Sequence, residues 1–180
     1  GDSWIEVVTG TIHPSLAPLA LFEDEDARPP SAIAAGASTL AILFGTQPYY
    51  DSPFVDMHLA ILDPSTGDAA IAAAAGMARR AANHDAAIAA GAPPWSDPEY
   101  GAAIASPSSE AIGAPRTLAF MRFSEGGAPI GGPIAVTSTG DSSLPSISWD
   151  GEAWGVVFAH AADDGAPPVV QFARVGCLAP

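Results

Sequence analysis

The sequence predicts an all-β protein built from small antiparallel repeats, and three observations carry that expectation. The first is a weak recurrence: an apolar alternation runs into Gly at Ile33-Ala34-Ala35-Gly36, at Ile88-Ala89-Ala90-Gly91 and at Ile147-Ser148-Trp149-Asp150-Gly151. A second run follows each opener, at His58-Leu59-Ala60-Ile61-Leu62, Thr117-Leu118-Ala119-Phe120-Met121 and Gln171-Phe172-Ala173-Arg174-Val175, with Leu59, Leu118 and Phe172 in matching places. Stacked or radial β units produce a period of this length, each unit being too small to bury its own apolar face. The second observation is that eighteen Gly and eighteen Pro make up a fifth of the 180 residues, which favours turns over long helices. Third, the apolar runs are short, alternate in period two and end at turn residues.

Taken in order, Trp4 to Val8 reads as a strand, and Leu16 to Phe22 as another that Pro18 moves to a sheet edge. Glu23-Asp24-Glu25-Asp26 and Pro29-Pro30 form a loop. Leu40 to Phe44 is an apolar strand, and residues 45–53 connect it to the alternating run Val55 to Leu62. Asp63-Pro64-Ser65-Thr66-Gly67-Asp68 is a turn signal. Residues 69–90 are ambiguous: Ala favours helix and Asp68 suits a cap, yet the repeat asks for a strand first and then a loop. Tyr100 to Ala105, Thr117 to Phe123 and Ile134 to Thr137 read as strands. In the last unit Asp150-Gly151 joins Ser146–Trp149 to Trp154–Ala159, a hairpin signal, and Val169–Val175 follows. Trp154 and Phe158 share one face of their strand and are expected in the core. The units so defined are residues 30–84, 85–143 and 144–180, after an N-terminal strand region over 1–29.

Leu144-Pro145-Ser146-Ile147-Ser148-Trp149-Asp150-Gly151-Glu152-Ala153-Trp154-Gly155-Val156-Val157-Phe158, closed by Val170-Gln171-Phe172-Ala173-Arg174-Val175, resembles one blade of a β-propeller. It is similar to the degenerate propeller repeats of large secreted bacterial proteins, notably of myxobacterial type. The resemblance covers residues 144–175 and is faint over 30–73 and 85–137, where Trp149 and Asp150 have no counterparts. It implies blade-like sheets and an extracellular or cell-surface location, with the periplasm as the alternative. Ser148-Trp149-Asp150-Gly151 also comes near the Asp-box of sialidase-like propellers, but Gly stands one position too early, so no activity is carried over. Three units fall short of the roughly four to eight blades that close a propeller. The expectation is therefore an incomplete propeller, or one completed by a protein partner or a segment of a parent polypeptide. Residues 1–29 fit part of a preceding blade.

Charge narrows the partners. Twenty Asp and Glu stand against six Arg, with no Lys, for a net charge of −14. Such a surface repels phosphate backbones and anionic lipids, so neither nucleic acid nor membrane insertion is expected. No apolar run resembles a membrane span. The single cysteine, Cys177, has no internal partner, so an intermolecular bridge is its sharper reading and an idle thiol its plainer one.

Sequence motifs for chemistry are sparse. No Gly-x-Ser-x-Gly, His-Glu-x-x-His or Cys-x-x-Cys occurs, and no catalytic or cofactor-binding residue is assigned. His160 with Asp163 and Asp164 is the candidate metal group, with calcium favoured on charge grounds because it takes carboxylate oxygens. An ordinary structural role for each His is the plainer alternative, and His58 fits a cross-strand polar position. Tyr49, Tyr50, Trp95 and Cys177 are the candidate ligand or partner contacts. The function expected is a non-catalytic extracellular binding or assembly module. Two alternatives stay open: a carbohydrate-active enzyme or lectin with carboxylates and aromatics on its loops, and a subunit of an extracellular complex linked through Cys177.

Overall fold

The computed structural model of the protein describes residues 4–7, 19–23, 32–46, 54–72, 80–81, 85–94, 96–109, 113–162 and 165–176. Among the described residues strand follows turn, without a helix. Strands β1 (Trp4–Val7) and β2 (Leu19–Glu23) form an antiparallel pair. A first sheet is the antiparallel meander β3 (Ala32–Ala35), β4 (Leu40–Thr46), β5 (Phe54–Leu62) and β6 (Ala69–Ala72). The short β7 (Arg80–Ala81) pairs with the start of β5. A second meander follows: β8 (Asp85–Gly91), β9 (Glu99–Pro107), β10 (Arg116–Ser124) and β11 (Ile134–Ala135). The third sheet holds β12 (Asp141–Trp149), β13 (Trp154–Ala161) and β14 (Val169–Val175).

The first strands β3, β8 and β12 lie beside one another with β8 in the middle, while the last strands pair only within their own sheets. Three antiparallel sheets thus resemble propeller blades, and they do not close into a ring. The expected all-β repeats are what the chain forms. Residues 69–72 are strand rather than helix because pairing with β5 outweighs the local preference of Ala.

The second sheet is the filling of the stack, and β9 shows how its sequence permits this. Side chains alternate across a strand. Tyr100, Ala102 and Ile104 therefore meet the first sheet, joining Ala41, Leu43, Leu59, Ile61, Met121 and Phe123 in one core. Ala103 and Ala105 point the other way, into a second core with Leu118, Phe120, Trp154, Val156 and Phe158. A strand buried on both faces has room for large side chains only here and there, which explains why so much of the Ala in this chain is interior. Ala41, Ala60, Ala102, Ala103 and Ala105 are all fully buried. They act as spacers that let sheets approach.

The pairing registers refine the repeat. Leu40, Tyr100 and Trp154 lie opposite Ala35, Ala90 and Trp149, so the openers Ile33, Ile88 and Ile147 correspond as expected. Carried across each sheet, the same registers place Leu59, Phe120 and Phe172 in one structural position. The second signature therefore falls two residues later in the middle unit than the match to Leu118 anticipates. A slip of two keeps the same face inward, so apolar patterning does not detect it. The third sheet also begins at Asp141, ahead of the expected boundary at 144. Its register slips between Ser143 and Ser146, where Pro145 has no N–H to give the ladder.

Candidate functional site

Three of the exposed large apolar side chains among the described residues, Val157, Val170 and Phe172, lie on the face of the third sheet turned away from the second. Pairing sets Gly155, Val157 and Ala159 of β13 on that face beside Arg174, Phe172 and Val170 of β14. Ser146 and Ser148 of β12 complete it. The opposite face holds Trp154, Val156 and Phe158, all buried. By contrast Val157 is 42% exposed, Phe172 65% and Val170 79%. The Phe172 ring lies across the bare backbone of Gly155, where an added Cβ would come within 3.1 Å of it.

The charged residues are spent differently. Arg116, at the start of β10, forks onto Asp141 through Nε at 3.0 Å and Nη2 at 3.0 Å, and gives Nη1 to Asp85 at 2.9 Å. Its backbone N–H also donates to Asp141, at 2.8 Å. These bonds hold Asp141 below the ordinary carboxylate range and push Arg116 upward. Asp85 further accepts the N–H of Leu144 at 3.1 Å. Leu144 has a φ of 51°, left-handed for a residue with a Cβ. The cluster joins β8 and β10 to β12, so it is an inter-sheet clamp.

Beside it, Ser142 Oγ lies 3.0 Å from Thr137 Oγ1 and 3.0 Å from His160 Nδ1. Ser142 is completely buried, and its hydroxyl ties β12 to β13. At the other end of the second sheet, Arg122 donates to Glu99 through Nε at 2.8 Å and Nη2 at 2.6 Å. That carboxylate is almost fully buried. Tyr100 Oη donates to the Thr39 carbonyl at 2.7 Å, tying the second sheet to the first. Burial raises the phenol's pKa. On the surface, Asp150 accepts the N–H groups of Glu152 and Ala153, which shapes the hairpin and holds its carboxyl low.

The sequence-derived candidates fare unevenly. His160 stands one residue before the end of β13, with Nδ1 turned to Ser142 and its ring edge-on to Phe158. Asp163 and Asp164 lie outside the described residues, as do Tyr49, Tyr50, Trp95 and Cys177. Among the described residues no group of three or more His, Cys, Asp and Glu is gathered as for a metal ion. His58 takes the cross-strand role, with Nε2 2.8 Å from Thr46 Oγ1 and its ring stacked on Phe44. The exposed trio Val157, Val170 and Phe172 escapes sequence reading because its alternation matches that of a buried strand. The Arg116 clamp escapes it because Asp85, Arg116 and Asp141 come from three different strands.

No known family matches the chain, and neither a curated protein nor a solved structure matches it. No helix among the described residues is long and apolar enough to cross a membrane.

Proposed function

We propose that this protein is a non-catalytic binding or assembly module, extracellular or on the cell surface, which engages a protein partner through the outer face of its third sheet. One observation carries the reading. Val157, Val170 and Phe172 face water, although β13 buries Trp154, Val156 and Phe158 on its other side. Surface this apolar is the usual mark of a protein contact. The charged clusters support it, because Arg116, Arg122 and their carboxylates are spent holding strands and sheets together. The extracellular placement rests on the likeness of residues 144–175 to secreted bacterial repeats.

Light scattering on natively purified material, with and without reductant, tests the reading. A species heavier than 18.1 kDa that Phe172→Asp returns to monomer is the expected result. A monomer throughout, with no co-purifying partner, overturns it. Dissociation by reductant alone would assign assembly to Cys177 instead.

A further inference from the structure

We propose that the outer face of the third sheet seats a further blade: an antiparallel β-sheet of another polypeptide segment, whose second strand opens on an aromatic residue placed over Gly155 and Phe172. This rests on the reading that the face binds protein, and it names the partner.

The sheets already stack by a common device. Trp154, the first residue of β13, lies over the second sheet so closely that a Cβ on Gly101 would come within 2.7 Å of its ring, as would one on Gly91. Its ring centroid is 5.9 Å from that of Phe120. One sheet earlier, Tyr100 holds the equivalent position in β9, and a Cβ on Gly36 would collide with its hydroxyl. Each interface thus sets an aromatic from the later sheet on a glycine of the earlier one.

The outer face of the third sheet repeats the receiving half of that interface. By register, Gly155, Val157 and Ala159 stand where Gly101, Ala103 and Ala105 stand in the second sheet. Likewise Val170, Phe172 and Arg174 stand where Leu118, Phe120 and Arg122 stand. On the second sheet Ala103, Ala105, Leu118 and Phe120 are buried under the third. The third sheet departs at one point, with Asp150 where Gly36 and Gly91 stand, and its carboxylate is folded into its own hairpin.

The edge gives the same indication. The third strands of the first and second sheets, β5 and β10, each carry a fourth strand, whereas β14 carries none among the described residues. In the second sheet that fourth strand, β11, lies in the segment that leads to the next sheet's first strand. One incoming segment therefore fills both places. A second copy of this chain does not offer the complementary surface. Tyr100 and Trp154 are buried in it, and the far side of its first sheet, though exposed at Ile33 and Ile71, carries Leu40 rather than an aromatic at the equivalent place.

The register supplies the test, since Ser124 and Gly176 occupy equivalent positions. A second copy of residues 125–176 inserted between Gly176 and Cys177 brings both an edge strand and a tryptophan to the vacant places. Hydrogen exchange of the β14 amides is expected to slow by about tenfold or more, with one unfolding transition for the lengthened chain. Gly155→Leu should abolish that gain in the lengthened chain while leaving the 180-residue chain unchanged. Two separate transitions, a lengthened chain that does not fold, or β14 exchange that is unaltered would overturn the proposal. A dimer of the 180-residue chain that Phe172→Asp dissolves would overturn it too, giving the face to a second copy while leaving the binding reading intact.

Discussion

On the second sheet Gly101, Ala103, Leu118 and Phe120 lie beneath the third sheet; on the third sheet Gly155, Val157, Val170 and Phe172 hold the same places, where the last three meet solvent and Gly155 is covered only by the Phe172 ring of its own sheet. The residue types are nearly alike, so composition does not decide which set is core. What differs is whether a face bearing an aromatic arrives to cover the glycine. A β-strand's alternation encodes readiness for burial, and burial itself needs the opposite surface.

Mutations should tell the covered sheet from the open one, and the ion pairs offer one of the largest effects. Arg122→Met strands the buried Glu99 carboxylate and is expected to cost about 3–5 kcal/mol in urea denaturation. Arg174→Met, at the equivalent place, should leave the midpoint where it is, because Asp150 and Glu152 are exposed. Phe120→Ala should cost a similar amount, about 3–5 kcal/mol, against about 0.5 kcal/mol or less for Phe172→Ala. Equal losses would mean that Phe172 is covered in solution by something already in the chain. Gly101→Ala is next, at about 1–3 kcal/mol, since Trp154 is packed too tightly to yield to the new methyl. Gly155→Ala should shift the thermal midpoint little, because the Phe172 ring is free to move aside.

The smallest effect concerns pH. Hydrogen bonds from Arg116 depress the Asp141 carboxyl in the folded state. Its share of stability is therefore present above the unfolded value near 3.8 and is lost as pH falls through the lower folded one. Asp141→Asn should flatten the stability curve below about pH 4, an effect that its partial exposure keeps modest. An unchanged acid limb would show that the clamp between the second and third sheets contributes nothing to stability.

Much of this architecture is legible from residues alone. The openers at Ile33, Ile88 and Ile147 mark the first strands of the three sheets, and the turn at Asp150-Gly151 joins β12 to β13 as its dipeptide indicates. Trp154 and Phe158 are core residues, as their shared strand face requires. The register of the third strands is less legible, since a two-residue shift preserves the inward face, and Leu118 stands in for Phe120 without any change in pattern. The clamp around Arg116 depends on three chain segments meeting, which local spacing does not report. The exposed face is hidden for a related reason: Val170 and Phe172 alternate as any interior strand would.

The stacking rule also has a direction. The ring always comes from the later sheet and the glycine from the earlier one, so the protein has a receiving end and a donating end. Its donating residues, Tyr100 and Trp154, are already engaged inside the molecule, and the far side of its first sheet buries Ile42, Phe44, Ala60 and Leu62 while Ile33 and Ile71 stay exposed at its edges. In the proposed docking it is the receiving end that takes the partner. A subunit with one open end joins a single successor and cannot propagate into a filament through this interface. On that proposal each chain takes one incoming blade.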